Sequence, residues 1–343
     1  MFMRRFVLTA VFLGFFCQCL LFPARAYIDV TLQMQLGNPS NASAGTNSHS
    51  HYLIQRTVEA IDYSDNLGGP VWASWDLTAG DVGGSGRNSS FYTDTNLPPN
   101  FYRVTTTDYN GVGTNNFNRG HLCPSDDRTD TTNDNKLVFF MSNIMPQSAL
   151  NNQGVWGNFE SYCRSLLTSN ELLITCGPSG FGTSTIPSGK AYIGSNVWKL
   201  VVCVPLGSGT ALSRITATTR VIAISIPNVT NGLSSAWQTY VTTPQRIEQD
   251  TGLTFFTALP ASVAGVFRTE IDGAPSFSAP VFTNNQFQFT VNGWAGTNYV
   301  LQAATNLATA DWIAIKTNAA PFVFTQTNAS AFAQRYYRAL IGP

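Results

Sequence analysis

Short β-type runs separated by turn residues make up most of this chain, and the pattern changes to a helical period in one place. Residues 52–63 and 70–77 are two β-type runs around a Gly68-Gly69-Pro70 turn. Residues 101–106, 137–142, 171–177, 197–205 and 220–226 read as further strands, the 137–142 run short and buried. Between residues 151 and 167 the period lengthens: Val155, Phe159, Tyr162, Cys163 and Leu166 fall on one helical stripe. Asn151 and Asn152 suit the start of that helix, and Pro146 predicts a turn before it. Beyond Gly273-Ala274-Pro275 short alternating segments return at 286–291, 298–303, 312–316, 321–325 and 335–341. Turn residues separate them at regular intervals, which predicts a small all-β sandwich after an α+β domain.

Composition narrows the class. Only 11% of the 343 residues are charged, which excludes a coiled coil and a charged disordered tail. Residues 1–26 read as a signal peptide: Arg4 and Arg5 open it, residues 6–22 are mostly apolar, and Ala24-Arg25-Ala26 fits a cleavage site before Tyr27. The competing reading is an uncleaved anchor; no later segment is long and apolar enough to span a bilayer. The expected localisation is secreted, periplasmic or at the cell surface, with no membrane contact after cleavage. Cleavage removes Arg4, Arg5 and Arg25 and no acid, so a net charge of zero becomes −3. A tight nucleic-acid clamp would be basic; this charge fits an enzyme with a local cationic cleft. Cys17 and Cys19 leave with the leader, and Cys123, Cys163, Cys176 and Cys203 remain. Four cysteines allow three pairings, Cys176 and Cys203 lie in runs that are candidate neighbours, and buried free thiols fit equally well. The spacings do not resemble a zinc site. Residues 27–51 show no period and predict a loose lead-in; His49 and His51 there read as loop residues rather than a metal pair.

The chemistry concentrates between residues 117 and 164. His121 follows Arg119 and Gly120. A histidine can take a proton from water near neutral pH, an arginine fork suits phosphate, and glycine admits a close backbone approach. On the predicted helix, Asn152, Trp156, Glu160 and Arg164 are each four apart and so share a face. An amide oxygen and a carboxylate aligned this way suit a hard divalent cation that keeps several waters. The bland alternative is that Asn152 caps the helix and Glu160 pairs with Arg164 in an exposed salt bridge.

Three motifs stand in order: Asn118-Arg119-Gly120-His121, then Ser142-Asn143-Ile144-Met145-Pro146-Gln147, then Asn152, Trp156 and Glu160. Together they resemble the DNA/RNA non-specific endonucleases of the ββα-metal (His-Me finger) superfamily, a group that includes mitochondrial endonuclease G. The resemblance covers roughly residues 45–270. It implies a central antiparallel sheet with a ββα-metal motif and Mg²⁺- (or Mn²⁺-) dependent hydrolysis of DNA and RNA, with one ion per site. His121 would be the general base, and Asn152 the direct metal ligand. Glu160 would hold the metal's water shell. Arg119 and Arg164 would bind phosphate or stabilise the transition state, and Arg87 matches the spacing of a substrate-binding arginine. Asn118 stands where the family has Asp; it keeps a hydrogen-bonding role toward substrate without the charge. That departure leaves a rival reading, a catalytically weak or inactive nuclease fold that binds nucleic acid or acts at a surface. The Asp127-Arg128-Thr129 segment matches a structural turn and lies outside the expected site. The expected divisions are a leader at 1–26, the nuclease domain at 27–272 and the sandwich at 276–343, the last a candidate for cell-surface contact.

Overall fold

Residues 30–309 and 311–342 are described by the structure, a computed structural model. The expected leader, residues 1–26, lies outside the described residues. The first part of the chain contains β1 (Tyr52–Gln55), β2 (Ala60–Ser64), β3 (Gly69–Leu77), β4 (Phe117–His121), β5 (Ile144–Ser148), β6 (Asn170–Thr185), β7 (Tyr192–Pro205) and β8 (Arg220–Pro227). Its helices are α1 (Thr132–Leu137), α2 (Gly157–Ser165), α3 (Ala211–Arg214), α4 (Pro244–Thr251) and α5 (Ala261–Thr269). Six strands form one sheet in the order β1-β2-β3-β6-β7-β8, with every pairing antiparallel.

That sheet is covered on both faces, so its central strands read as continuous apolar runs. On β7, Val201 and Cys203 pack with Val155, Trp156, Phe159 and Cys163 beside and within α2. Leu200, Val202 and Val204 face the other way, against Ile247 of α4 and Ala264 and Phe267 of α5. Side chains alternate across a strand, so Lys199 shares the α2 side with Val201 and Cys203.

β4 and β5 form a separate antiparallel ribbon, and α2 follows them, giving a ββα unit on the α2 face of the sheet. The remaining strands are β9 (Ser276–Thr283), β10 (Gln286–Asn292), β11 (Asn298–Ala304), β12 (Ile313–Ala319), β13 (Phe322–Gln326) and β14 (Tyr336–Ile341). They make two three-stranded sheets, β13-β10-β9 and β12-β11-β14, around Phe289, Val291, Tyr299, Leu301 and Phe322. The α+β class and the appended all-β sandwich are as the sequence predicts.

Several local expectations need correction. The 52–63 run is two strands, because Arg56 to Glu59 turns: the Arg56 amide bonds the Glu59 carbonyl, and their side chains form a buried ion pair at 2.8 Å. Residues 101–106 are not a strand; the amides of Tyr102 and Thr105 are taken by the carboxylates of Asp65 and Asp108 instead of a neighbouring chain. Residues 137–142 finish α1 and enter a single 3₁₀ turn, Met141–Asn143. Pro146 lies within β5 opposite Arg119 rather than in a turn, which a two-stranded ribbon tolerates because one edge needs no donor. Strand β9 escaped notice because all its residues are exposed and Pro280 interrupts its pattern. The lead-in is packed rather than loose: Gln33 is buried, donates to the Thr57 carbonyl and accepts from the Asp76 amide. Each lead-in histidine is held by its own carboxylate at 2.8 Å, His49 by Asp65 and His51 by Asp62.

Cys123, Cys163, Cys176 and Cys203 are all free and buried. Cys176 and Cys203 do lie on adjacent strands, but Cys176 pairs with Lys199 while Cys203 pairs with Leu172. An offset of four residues along a strand is about 13 Å, well beyond disulfide reach.

Candidate active site

The ββα unit brings its chemistry into one cleft of about 410 Å³. Arg87, Arg119, His121, Asn152, Glu160 and Arg164 all line it. Asn118 does not; it lines a neighbouring cavity that shares Arg119, Asn152 and Gln153 with the cleft.

His121 and Arg119 end strand β4, opposite Ile144 and Pro146 of β5. Gly120 between them has no room for a side chain: a Cβ there would lie 2.2 Å and 2.5 Å from Oε1 and Cβ of Gln147. The ribbon is anchored from a distance. The Asn228 side chain accepts from the Ser148 amide and donates to the Pro146 carbonyl. Asn143 fixes the loop that leaves His121 by accepting from the Cys123 amide and donating to the Cys123 carbonyl.

The His121 ring is wedged between Phe91 and Phe139, with ring centres 5.3 and 4.6 Å away. The same rings carry the cations: Arg119 lies over Phe91 at 5.4 Å and Arg87 over Phe139 at 5.0 Å. Burial, with the Arg87 charge beside it, pushes the His121 pKa down to about 3, so the imidazole is neutral at neutral pH. Its Nε2 is buried without a partner, so Nδ1 is the nitrogen open to the cleft. Neither Arg87 nor Arg119 has a carboxylate partner among the described residues; Arg119 donates to the Thr106 carbonyl at 3.0 Å.

Asn152 sits in the irregular turn Asn151–Trp156, which leaves helical geometry at Gly154 (φ −105°, ψ −111°) before the chain enters α2. The expected single stripe is therefore broken: Trp156 is buried in the core, while Asn152, Glu160 and Arg164 reach the cleft. Glu160 does not pair with Arg164. It pairs with Lys199 of β7 at 3.2 Å, and Lys199 is only 1% exposed, its ammonium 4.3 Å from the centre of the Trp156 ring. Burial raises the Glu160 pKa, and Lys199 opposes that rise. Arg164 bonds Asp127 at 2.9 Å and lies 3.5 Å from Asp126. Asp127 also accepts from the Trp75 indole, and Arg128 is buried, bonding the carbonyls of Val58 and Asp76. The segment is structural, as the motif implies, yet it holds Arg164 in place.

Sequence reasoning did not single out Lys199, Phe139 or Asn228. Lys199 left a signal, the one charged residue in the apolar run 197–205. The other two left none.

One polar cleft on a ββα scaffold thus gathers a neutral imidazole, three arginines, an amide and a carboxylate. The profile of the DNA/RNA non-specific endonuclease family matches residues 37–262, and the chain belongs to that family. It is 36% identical over 244 residues to a nuclease of Nostoc sp., covering 71% of this chain and 87% of that protein. It is 30% identical over 143 residues to mitochondrial endonuclease G of Bos taurus, covering 41% of this chain and 46% of the relative. Among solved structures, a crystal structure of the EndoG/EndoGI complex shares the fold, with a TM-score of 0.55 and 18% identity over 67% of this chain and 92% of that one. The chain is a nuclease.

Proposed function

We propose that this nuclease is an exported, Mg²⁺- or Mn²⁺-dependent endonuclease that hydrolyses DNA and RNA with little sequence preference, using His121 as general base. The observation that carries the reading is the convergence of His121, Asn152, Glu160 and three arginines in one cleft. Held neutral, His121 presents its cleft-facing ring nitrogen to an attacking water. Arg87 and Arg119 meet the phosphate without first giving up a carboxylate. Burial is the larger cause of the low His121 pKa and the Arg87 charge the smaller; an arriving phosphate offsets the second and so raises the basicity of the base when substrate binds.

The donors fit a hard divalent cation. The Asn152 amide makes no hydrogen bond among the described residues, and Glu160 engages Lys199 through Oε1 alone. Asn152 would hold the ion directly and Glu160 its water shell, as the motif implies; oxygen donors with several retained waters are what Mg²⁺ takes. When bound, such an ion neutralises charge that builds on the phosphate. Arg164, braced by Asp127, adds a fixed positive charge at the same wall. Export rests on the basic, apolar and small-residue order of residues 1–26, and the sandwich beyond residue 275 is a candidate for surface contact.

The test is cleavage of plasmid DNA and of RNA by residues 27–343, with Mg²⁺ and with EDTA, beside His121→Ala and Asn152→Ala. Metal-dependent cleavage of both substrates, lost in each variant, is expected. Cleavage that survives EDTA or His121→Ala would refute the mechanism.

A further inference from the structure

Helix α2 carries Glu160 and Arg164 into the cleft, yet little in its own stretch of chain fixes where it lies. It is nine residues long, no side chain caps its start, and the turn before it leaves helical geometry at Gly154. A helix this short owes its place to what packs against it. Besides the sheet, that is Trp237, whose ring centre lies 4.7 Å from Tyr162 and 5.0 Å from Phe159. Trp237 is 6% exposed and opens a single 3₁₀ turn, Trp237–Tyr240, after β8. The loop leading into that turn touches the cleft, because the side chain of Asn158, a cleft residue, donates to the Ser235 carbonyl at 3.2 Å. Trp237 is met in turn from the sandwich: Trp294, between β10 and β11, lies edge-on to it at 5.7 Å. Among the described residues, Trp294 is the one apolar sandwich side chain packed against a core of the nuclease domain. Its indole Nε1 donates to Asp272 at 2.9 Å, and the buried Asp272 accepts two bonds of 2.7 Å from Arg220 of β8. Gly273 has a φ of +74°, and a Cβ there would fall 2.1 Å from the Trp294 ring, so only glycine lets the linker pass so close to the indole. The Tyr299 hydroxyl completes the joint, donating to the Gly273 carbonyl and accepting from the Trp294 amide.

We propose that the sandwich is a docked brace for the catalytic helix: Trp294, acting through Trp237, holds α2 where Glu160 and Arg164 serve the cleft. Neither tryptophan lines the cleft, so both are positioning residues. The catalytic half of the inference rests on the roles proposed above for Glu160 and Arg164. The rings run without a break from Trp294 to Trp237 to Phe159 and Tyr162. Close-packed side chains transmit displacement, so support at one end of such a row is felt at the other. The far end is itself fixed, because Arg220 ties Asp272, and through it the indole, to a strand of the main sheet. The joint is also narrow. A cavity of about 620 Å³ lies beside it, with Tyr162, Arg220, Trp237 and Trp294 in its wall. Removing one indole therefore loosens the joint, with no broad interface to compensate.

The test uses residues 27–343 with Trp294→Ala, which removes the indole, and Trp294→Phe, which keeps a ring against Trp237. Hydrogen exchange reads the brace without any need for activity. In Trp294→Ala the amides of residues 157–165 and 234–240 should exchange about tenfold faster than in wild type, and those of β6 and β7 at the wild-type rate. A merely structural loss would speed exchange in all of these segments together. Cleavage of plasmid DNA reads the consequence. Trp294→Ala should lower kcat about tenfold and raise the Mg²⁺ concentration for half-maximal rate several-fold, with KM for DNA within about twofold of wild type. Trp294→Phe should restore most of both losses. Should Trp294→Ala fail to fold, Asp272→Asn carries the same readouts: it keeps the shape, removes the charge that holds Arg220, and should give the same pattern at smaller amplitude. Wild-type exchange in α2 of the folded variant overturns the brace. Faster exchange there with an unchanged kcat and Mg²⁺ requirement overturns the positioning role. Wild type without metal-dependent cleavage overturns the proposed function, and the exchange readout then decides the brace by itself.

Discussion

Replacing Lys199 by Met should uncouple the catalytic cleft from the sheet beneath it. Lys199 is 1% exposed, 3.2 Å from Glu160, and its ammonium lies 4.3 Å and 5.4 Å from the ring centres of Trp156 and Trp75. At an effective dielectric of about 20, unit charges at the 3.2 Å separation attract by about 5 kcal/mol before desolvation is counted. Methionine fills nearly the same volume, so the cavity cost is small. What remains is a carboxylate, 14% exposed, without its counter-charge. Breaking one side of a buried pair costs about 3–5 kcal/mol, and the partial exposure of Glu160 places this case at about 3. For a domain of this size that corresponds to a fall in Tm of roughly 6–12 °C. The sign with pH follows from Glu160. Its folded pKa is already raised, and losing Lys199 raises it further. A raised carboxyl is least costly when protonated in both states, so the destabilisation should shrink toward acid pH and grow as pH rises through the folded pKa. Urea unfolding of wild type, Lys199→Met and Lys199→Met/Glu160→Gln, across pH 5 to 8, measures this. The double variant should recover most of the loss. A single variant within about 0.5 kcal/mol of wild type at all pH values, or a loss that the second substitution does not relieve, would refute the reasoning.

Gly120→Ala should cut activity about a hundredfold or more and lower stability by about 1–3 kcal/mol, because its Cβ drives Gln147 away from the ribbon and moves His121 and Arg119 with it; plasmid cleavage and urea unfolding read the two effects. In metal-free protein, ring-nitrogen NMR should find His121 neutral well below its ordinary pKa, with midpoint near 3, and Arg87→Gln should shift that midpoint upward. Because the folded value is depressed, the stability linked to His121 is present above the unfolded pKa of about 6.5 and drains away as pH falls toward the folded value. The four described thiols are buried, with pKa values pushed up by burial, so native residues 27–343 should not react with a thiol reagent until unfolded, and reductant should leave the Tm unchanged.

What the sequence determined by itself is the set of residues that short-range order can place. Asn118 to His121 lie on one strand, and Asn152, Glu160 and Arg164 lie within a turn and a helix, so spacing alone puts them near one another. Five of the six sandwich strands were legible for the same reason, since alternation on a half-buried sheet is a local pattern; β9, exposed along its length, carries no such pattern. Tertiary structure decided which partners those residues have. Glu160 meets Lys199 across 39 positions, Arg164 meets Asp127 across 37, and Ser148 is held by Asn228 across 80. No periodicity encodes such pairings; they arise when the ribbon and α2 are laid against a sheet whose strands come from both sides of the motif. The same packing buries Trp156 and gives Glu160 and Arg164 separate ion-pair partners, so the alternative of a Glu160–Arg164 pair does not form. Local chemistry chose the groups, and burial by distant segments set their charges, their partners and the space between them.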